Sequence, residues 1–114
     1  MIETVFSKII AREIPADIVY ESDELLAFHD INPQAPIHIL VITKQPIPTL
    51  NDLQDQHAQL AGQMLLAARQ IAADLGFAAS GYRVLINCNQ DGGQDVWHLH
   101  LHILAGRRMG WPPG

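Results

Sequence analysis

Length, composition and charge narrow the classes of protein that this sequence can represent. With 114 residues, 48% of them hydrophobic, the chain is long enough for one domain, spanning 1–114, with a buried core. A formal net charge of −5 argues against sequence-independent nucleic-acid binding, which needs a basic stripe. The single cysteine, Cys88, excludes an intrachain disulfide and is typical of a reducing compartment. Neither a signal peptide nor an apolar run of ~20 residues is evident, so we expect a cytoplasmic protein without membrane or nucleic-acid partners.

The first half of the chain predicts a short helix and three strands. Thr4 is a plausible N-cap, and apolar residues recur behind it at helical spacing, which predicts a helix to about Arg12. Short β-like runs follow at 18–21 and 25–29, with a tight hairpin loop at 22–24. A loop with two prolines at 30–36 then leads into the clearest apolar strand, 38–43.

The second half predicts one long helix and two strands. Residues 53–75 carry an apolar stripe, and Gly76 is a natural stop for this helix. The stripe consists of Leu60, Met64, Ala67, Ala68, Ile71 and Leu75. A strand at 82–87, a turn-rich loop at 89–94, a strand at 97–104 and a tail at 107–114 complete the chain. We therefore expect an α+β fold, with a mainly antiparallel five-stranded sheet and the long helix on one face.

The last strand carries the most unusual pattern in the sequence. His98, His100 and His102 recur at every second residue, so an extended strand places them on one face. Leu99, Leu101 and Ile103 lie on the opposite face and are apolar enough to be core. No packing requirement explains three aligned imidazoles, which are nucleophiles, proton carriers and metal ligands near neutral pH.

Two kinds of chemistry suit these histidines. Like charges depress one another's pKa, so at least one imidazole stays neutral and can attack phosphorus, while another can hold an anion or protonate a leaving group. The nearby Gly92 and Gly93 allow backbone N–H groups to approach a phosphate. Zinc binding is the alternative, but the Cα atoms of His98 and His102 would lie ~13 Å apart along a regular strand, too far for both to ligate one ion.

Several motifs together resemble one known family. Residues 98–104 match the histidine triad signature, in which three histidines alternate with apolar residues. Further motifs at 6–10, 27–31, 33–36 and 91–94, together with His38 and the ending Trp-Pro-Pro-Gly, occur in the same order as in that family. The sequence therefore resembles the Hint branch of the histidine triad (HIT) superfamily, the histidine triad nucleotide-binding proteins, over essentially the whole chain.

The resemblance implies an activity, a mechanism and a quaternary structure. It implies a homodimer whose two sheets join into ten strands, and hydrolysis of purine nucleoside phosphoramidates and related acyl-adenylates without a metal or other cofactor. His100 would be the nucleophile and form a nucleotidyl-histidine intermediate, His98 and His102 would flank the phosphate, and His38 would assist proton movement. The implied nucleotide-binding residues are Asp30 at the ribose, Phe6, Ile9, Phe28 and Ile31 at the base, Asn87, Gly93, Asp95 and Val96 at the phosphate, and Trp111 reaching towards the partner's site.

Other interpretations stay open from the residues alone. The protein could bind or sense a purine nucleotide with only residual catalysis, or it could bind zinc. Ile9, Phe28 and Ile31 could simply be core residues. Asp30 could form an Asx turn before the prolines, and Cys88 is expected to be a buried free thiol.

Two positions depart from the family pattern. Asp95 stands where animal relatives carry a serine beside the phosphate, and Trp97 replaces the more usual tyrosine before the first histidine. We expect Trp97 to change only packing. The carboxylate of Asp95 cannot donate a hydrogen bond to phosphate and repels it, so we expect this residue to raise the pKa of a neighbouring histidine.

Overall fold

The computed structural model describes residues 3–114, and its elements follow the order expected from the sequence. The helices are α1 (Val5–Ile10) and α2 (Ala58–Leu75), and short 3-10 turns precede α2 at Leu50–Asp52 and Asp55–His57. The strands are β1 (Ile18–Glu21), β2 (Leu25–His29), β3 (Ile37–Thr43), β4 (Tyr82–Leu85) and β5 (His100–Ala105). None of the helices in the described residues is long and apolar enough to cross a membrane.

The strands form one sheet in the order β1-β2-β3-β5-β4, and every neighbouring pair is antiparallel. This confirms the α+β fold with a five-stranded antiparallel sheet. The histidine strand β5 lies between β3 and β4, and its register pairs His102 with Leu40 and His100 with Ile42. Residues of both strands that point to the same face therefore become neighbours, although they are far apart in the sequence.

The two faces of the sheet are covered by different helices. Leu99, Leu101 and Ile103 are almost fully buried and pack with Met64 and Ile71 of α2 in the larger core. On the opposite face, α1 lies over a smaller apolar cluster made by Phe6, Ile9, Leu26, Phe28, Leu40 and Ile42. The period-2 alternation of β5 thus turns Leu101 and Ile103 towards α2 and His100 and His102 towards α1.

Local hydrogen bonds move several element boundaries from their predicted positions. The long helix begins at Ala58 because Thr49 caps a separate 3-10 turn, with its hydroxyl accepting from the N–H of Asn51. The first helix ends at Ile10, since Arg12 has a left-handed φ of 63°. Strand pairing begins at His100 and ends at Leu85, so β5 and β4 are shorter than expected.

One residue of the predicted buried stripe lies outside the core. Leu75, in the last turn of α2, is 47% exposed. Ala72, which was not part of the predicted stripe, is fully buried next to Ile71. Gly76 ends the helix as expected, in the left-handed conformation with φ 84°.

The leucines of β5 and α2 offer a matched test of this packing. We expect Leu101→Ala to lower the free energy of unfolding by about 3 kcal/mol, because a fully buried leucine leaves a cavity when truncated. Leu75→Ala, at the half-exposed helix end, should change it by less than about 1 kcal/mol. Urea unfolding followed by circular dichroism measures both values, and an equal loss in the two variants would contradict the assigned burial.

Candidate active site

A cavity of about 220 Å³ opens on the α1 face, beside the histidines of β5. It brings together most of the residues that the sequence predicted for the nucleotide site, namely Phe6, Ile9, Phe28, Asp30, Ile31, Asp95, Val96, His100 and His102. His29, which was not among the residues predicted for the site, lines the cavity as well. Its position at the end of β2, immediately before Asp30, was the available signal.

The apolar wall of the cavity is also part of the smaller core. Phe6 meets Phe28 edge to face at a centroid distance of 5.7 Å and meets the ring of His100 at 5.0 Å. Ile9 and Phe28 are buried, which confirms the core interpretation for them, and both also line the cavity. Ile31 is 99% exposed at the rim, which excludes the core interpretation for that residue.

Hydrogen bonds assign the tautomer of His100. This side chain is 3% exposed, and its Nδ1 lies 2.6 Å from the backbone carbonyl oxygen of His98. A carbonyl oxygen only accepts, so Nδ1 carries the hydrogen in the neutral ring and Nε2 keeps its lone pair. His98 is held in a similar way, with Nε2 donating to the carbonyl oxygen of Thr43 at 2.6 Å. His100 therefore presents a nucleophilic nitrogen on a ring that cannot easily rotate.

His38 and His102 form a directed chain of hydrogen bonds. The backbone N–H of Gln34 donates to Nδ1 of His38 at 3.0 Å, which leaves the hydrogen of the neutral His38 ring on Nε2. That Nε2 lies 2.9 Å from Nδ1 of His102 and donates to it. The hydrogen of His102 is then on Nε2, which is buried and has no hydrogen-bond partner among the described residues. A phosphate oxygen in the cavity is a suitable acceptor for this donor.

Burial keeps these imidazoles neutral. Desolvation lowers the pKa of His38 and of His98 below the usual 6.5 and lowers the pKa of His102 to about 4. The neighbouring His100 lowers the pKa of His98 and His102 further, as expected for clustered histidines, but burial is the larger cause. Asp30 and Asp95 act in the opposite direction on His102.

This depressed pKa predicts a pH-dependent stability. Unfolded His102 takes up a proton near pH 6.5 and folded His102 only near pH 4, so the unfolded state binds more protons between these values. The contribution of neutral His102 to the free energy of unfolding is therefore complete above about pH 6.5, and it decreases as the pH falls towards 4. We expect His102→Gln to reduce the loss of unfolding free energy between pH 7 and pH 4.5 by about 2 kcal/mol. Urea unfolding at both pH values measures it, and an identical loss in the two proteins would contradict the assignment.

The same chain of hydrogen bonds bears on zinc binding. Asp30, His38 and His102 each offer a ligand atom, all within 4.8 Å of one another, which is the kind of cluster that can hold a metal ion. A histidine that binds metal through one nitrogen normally donates from the other to an acceptor. The Nδ1 of His38 instead faces the N–H of Gln34, so its Nε2 carries a hydrogen and has no lone pair to offer. The observed hydrogen bonds favour hydrogen-bond donation by His38 over metal ligation.

Asp30 forms the Asx turn considered for it and also lines the cavity. Its Oδ1 accepts the N–H of Asn32 at 2.9 Å, which is an Asx turn. Its Oδ2 lies 3.5 Å from Nε2 of His38, and the side chain lines the cavity next to Ile31. The turn therefore fixes a partly buried carboxylate at the edge of the site.

The loop before β5 is held by a residue that the sequence did not single out as a site residue. Gln94 is 9% exposed, and its side-chain oxygen accepts the N–H of Asn89 at 2.9 Å. Its side-chain nitrogen donates to the carbonyl oxygens of Pro48 and Val96. The only sequence signal for this role was its place in the motif at 91–94. Gln94 thus ties the loop to the segment that precedes the histidines.

The remaining predicted site residues lie outside the cavity. The cavity lining does not include Asn87, Gly93, His38 or His98, and Trp111 is 84% exposed in a separate cavity next to β4. Cys88 is a free thiol as expected, but it is only partly buried. Trp97 is 43% exposed. Functions for Asn87, Gly93 and Trp111 at the nucleotide stay predictions from the resemblance.

An antiparallel sheet that presents four clustered imidazoles beside an apolar slot defines a class of nucleotide-processing proteins built around a histidine triad. Comparison with known proteins supports this class. The family model described as HIT domain matches residues 11–109. An HIT-like protein of Synechococcus elongatus is 56% identical over 98% of this chain and 97% of its own length. The purine nucleoside phosphoramidase of Escherichia coli K12 is 54% identical over 95% of this chain and 91% of its own length.

A solved structure gives the same result at the level of the fold. The crystal structure of an HIT family hydrolase from Legionella pneumophila superposes with a TM-score of 0.95 and 47% sequence identity, covering 98% of this chain and all (100%) of that one. The chain belongs to the HIT domain family.

Proposed function

We propose that this protein hydrolyses purine nucleoside phosphoramidates and related acyl-adenylates to a nucleoside monophosphate, through a nucleotidyl intermediate on His100. The observation that carries the mechanism is the hydrogen bond from Nδ1 of His100 to the carbonyl oxygen of His98. It leaves Nε2 as the nucleophile on a ring that borders the cavity. The substrate class is supported by the Escherichia coli relative, which is named for phosphoramidase activity.

The reaction has two displacements at phosphorus. The lone pair of His100 Nε2 attacks the α-phosphorus, the P–N bond breaks, and the departing nitrogen takes the electron pair and one proton from solvent. The intermediate is a phosphorylated imidazolium, whose Nδ1–H still donates to the His98 carbonyl oxygen. Water then attacks phosphorus, the electron pair of the P–Nε2 bond returns to His100, and the water releases one proton. Splitting the hydrolysis in this way replaces one difficult step by two easier ones.

The other histidines stabilise the phosphoryl group and position the nucleophile. The free Nε2–H of His102 donates to a phosphoryl oxygen, and His38 maintains that tautomer through its own hydrogen bond to His102. His98 positions His100, because its carbonyl oxygen accepts from Nδ1 of that ring. Preorganised donors of this kind are worth several kcal/mol when negative charge develops in the transition state.

We propose one orientation for the nucleotide in the cavity. The purine ring lies in the apolar slot of Phe6, Ile9 and Phe28 with Ile31 at its rim, and the ribose hydroxyls reach Asp30. The α-phosphate then lies between His100 and the segment of Asp95 and Val96. The slot is apolar and offers no side-chain hydrogen bond that could distinguish adenine from guanine. Adenosine and guanosine substrates should therefore both be accepted.

The direct test is turnover of adenosine 5′-phosphoramidate by the purified protein. We expect release of adenosine monophosphate and a protein mass increased by one adenylyl group when the reaction is stopped early. Treatment with a chelator should leave the rate unchanged, because no step uses a metal ion. Nucleotide binding without turnover would favour a sensing module, and a chelator-induced loss that zinc restores would overturn the metal-free mechanism.

The quaternary structure and location expected from the resemblance also belong to this proposal. We propose a homodimer in which the sheets of two protomers join, with Trp111 reaching the partner's site. A second copy would cover two surfaces: the half-exposed Leu65 and Leu66 on α2, and the edge strand β4. Sedimentation at micromolar concentration tests this, and a monomer would refute it. A cytoplasmic location stays a prediction.

A further inference from the structure

The charges around the cavity are unusual for a site that receives a phosphoryl group. Phosphate sites commonly use the side chains of arginine or lysine. Here the lining contains the carboxylates Asp30 and Asp95, and among residues 3–114 neither a lysine nor an arginine contributes to it. Burial favours the neutral form of His102. The fixed formal charges that face the cavity are therefore negative.

The two carboxylates occupy different places. Asp30 is held by the N–H of Asn32 and by its contact with His38, at the end that suits the ribose. Asp95 is exposed and lies beside Val96, three residues before the buried His98. Its charge also raises the pKa of His102, as expected from the sequence, although burial outweighs this effect. Asp95 lines the cavity together with Val96, His100 and His102, so in the proposed orientation of the nucleotide it lies at the phosphoryl end.

The chemistry places the leaving group near this residue. His100 is 3% exposed, so the attacking nitrogen lies deep in the cavity. In-line displacement at phosphorus requires the nucleophile and the leaving group on opposite sides of the phosphorus atom. The leaving group consequently points away from His100 and out of the cavity, on the solvent-accessible side where Asp95 is exposed.

We propose that Asp95 determines specificity for the leaving group, favouring amines that carry a positive charge and disfavouring those that carry a negative one. This inference rests on the proposed phosphoramidate hydrolysis and specifies its substrate class. The preferred substrates are nucleoside phosphoramidates formed from diamines or from other amines with a second, cationic nitrogen. The Asp95 carboxylate neither increases nor decreases the rate at which an uncharged leaving group is released.

The size of the effect follows from Coulomb's law with solvent screening. At a separation of about 6 Å and an effective dielectric constant of about 40, between those of water and the protein surface, one charge pair changes the rate about tenfold. Asp95 is exposed, so salt reduces the effect further, and a three- to tenfold preference is the expected range at low ionic strength.

Three substrates of similar size test the inference. Adenosine 5′-phosphoramidates of ethylenediamine, propylamine and β-alanine place an ammonium, a methyl or a carboxylate group at the same distance from the scissile bond. For the unmodified protein we expect kcat/KM to fall in that order at pH 7, by about three- to tenfold at each step. In Asp95→Asn the three values should converge to within about twofold, since the amide keeps the shape of the side chain but not its charge.

A control separates this effect from the overall charge of the loop. Asp91→Asn removes the same charge from the same loop at a position that does not line the cavity. We expect this variant to keep the preference of the unmodified protein. Added salt should weaken the preference in the unmodified protein and in Asp91→Asn, with little effect on the ratios of Asp95→Asn.

The outcomes distinguish the inference from the function on which it rests. If none of the three phosphoramidates is hydrolysed, the proposed function fails. If propylamine is released at a normal rate but the ratios are the same with and without the Asp95 carboxylate, the function stands and the inference is wrong. Equal loss of preference in Asp91→Asn and Asp95→Asn would also overturn it, because the effect would then belong to the loop as a whole.

Discussion

Replacing His100 by alanine is expected to lower kcat for adenosine 5′-phosphoramidate by at least about 10³-fold, because the variant has no atom that can form the covalent intermediate. Binding of adenosine monophosphate should remain within about threefold, since the apolar slot and Asp30 are unchanged. The fold should also survive, because His100 lies on the α1 face of β5 while Leu99 and Leu101 fill the larger core.

The measurement combines single-turnover kinetics, mass analysis of protein stopped early in the reaction, and calorimetric binding of the monophosphate. His57→Ala is the matched control, because it removes an imidazole that lies outside the cavity lining. Its turnover should equal that of the unmodified protein. If the alanine variant of His100 kept more than about a tenth of normal turnover, or still gained an adenylyl group, another residue would be the nucleophile.

The second large effect is expected at Gly92, in the loop before the histidine strand. A Cβ atom at this position would lie 2.4 Å from the carbonyl oxygen and 2.7 Å from the nitrogen of Cys88. Both are backbone atoms, which cannot move aside as a flexible side chain does. Gly92→Ala must therefore displace the loop that Gln94 anchors next to Val96. A displacement of about 1 Å near reacting groups is enough to cost about 10²-fold in kcat/KM.

Gly62→Ala is the control for this prediction. An added Cβ at Gly62, within α2, would meet nothing within 4 Å, and alanine favours the helix. We expect its kcat/KM to stay within about twofold of normal while that of Gly92→Ala falls. Circular dichroism must show both variants folded at the assay temperature. A folded Gly92→Ala protein with normal kcat/KM would show that the loop position does not matter for catalysis.

The close contact at Gly92 also changes how the glycine pair is understood. The sequence indicated that Gly92 and Gly93 let backbone N–H groups approach a phosphate. The structure shows that Gly92 is required because the backbone of Cys88 passes against it, whereas nothing lies within 4 Å of a Cβ at Gly93. Gly93 has a φ of 79°, so its requirement is conformational. A glycine pair in a sequence does not reveal which of these reasons applies.

The sequence by itself determined which residues share a face and what kind of chemistry they carry. Alternation with period 2 separated His100 and His102 from Leu101 and Ile103, because successive side chains of a strand point to opposite sides. The order of the elements predicted the α+β sheet, and the order of the motifs indicated the family. These features depend on local patterns, which a sequence records directly.

The tertiary structure decided which nitrogen of each imidazole carries the hydrogen. The partner of His102 is His38, 64 residues away, and the partner of His98 is the carbonyl oxygen of Thr43, 55 residues away. Strand pairing brings these atoms together, and the register of β3 against β5 cannot be predicted from any local sequence pattern. Tautomer, depressed pKa and the free donor on His102 all follow from those contacts and from burial. The sequence thus specified a histidine face, and only the packed sheet gave each ring on it its own hydrogen-bonding arrangement.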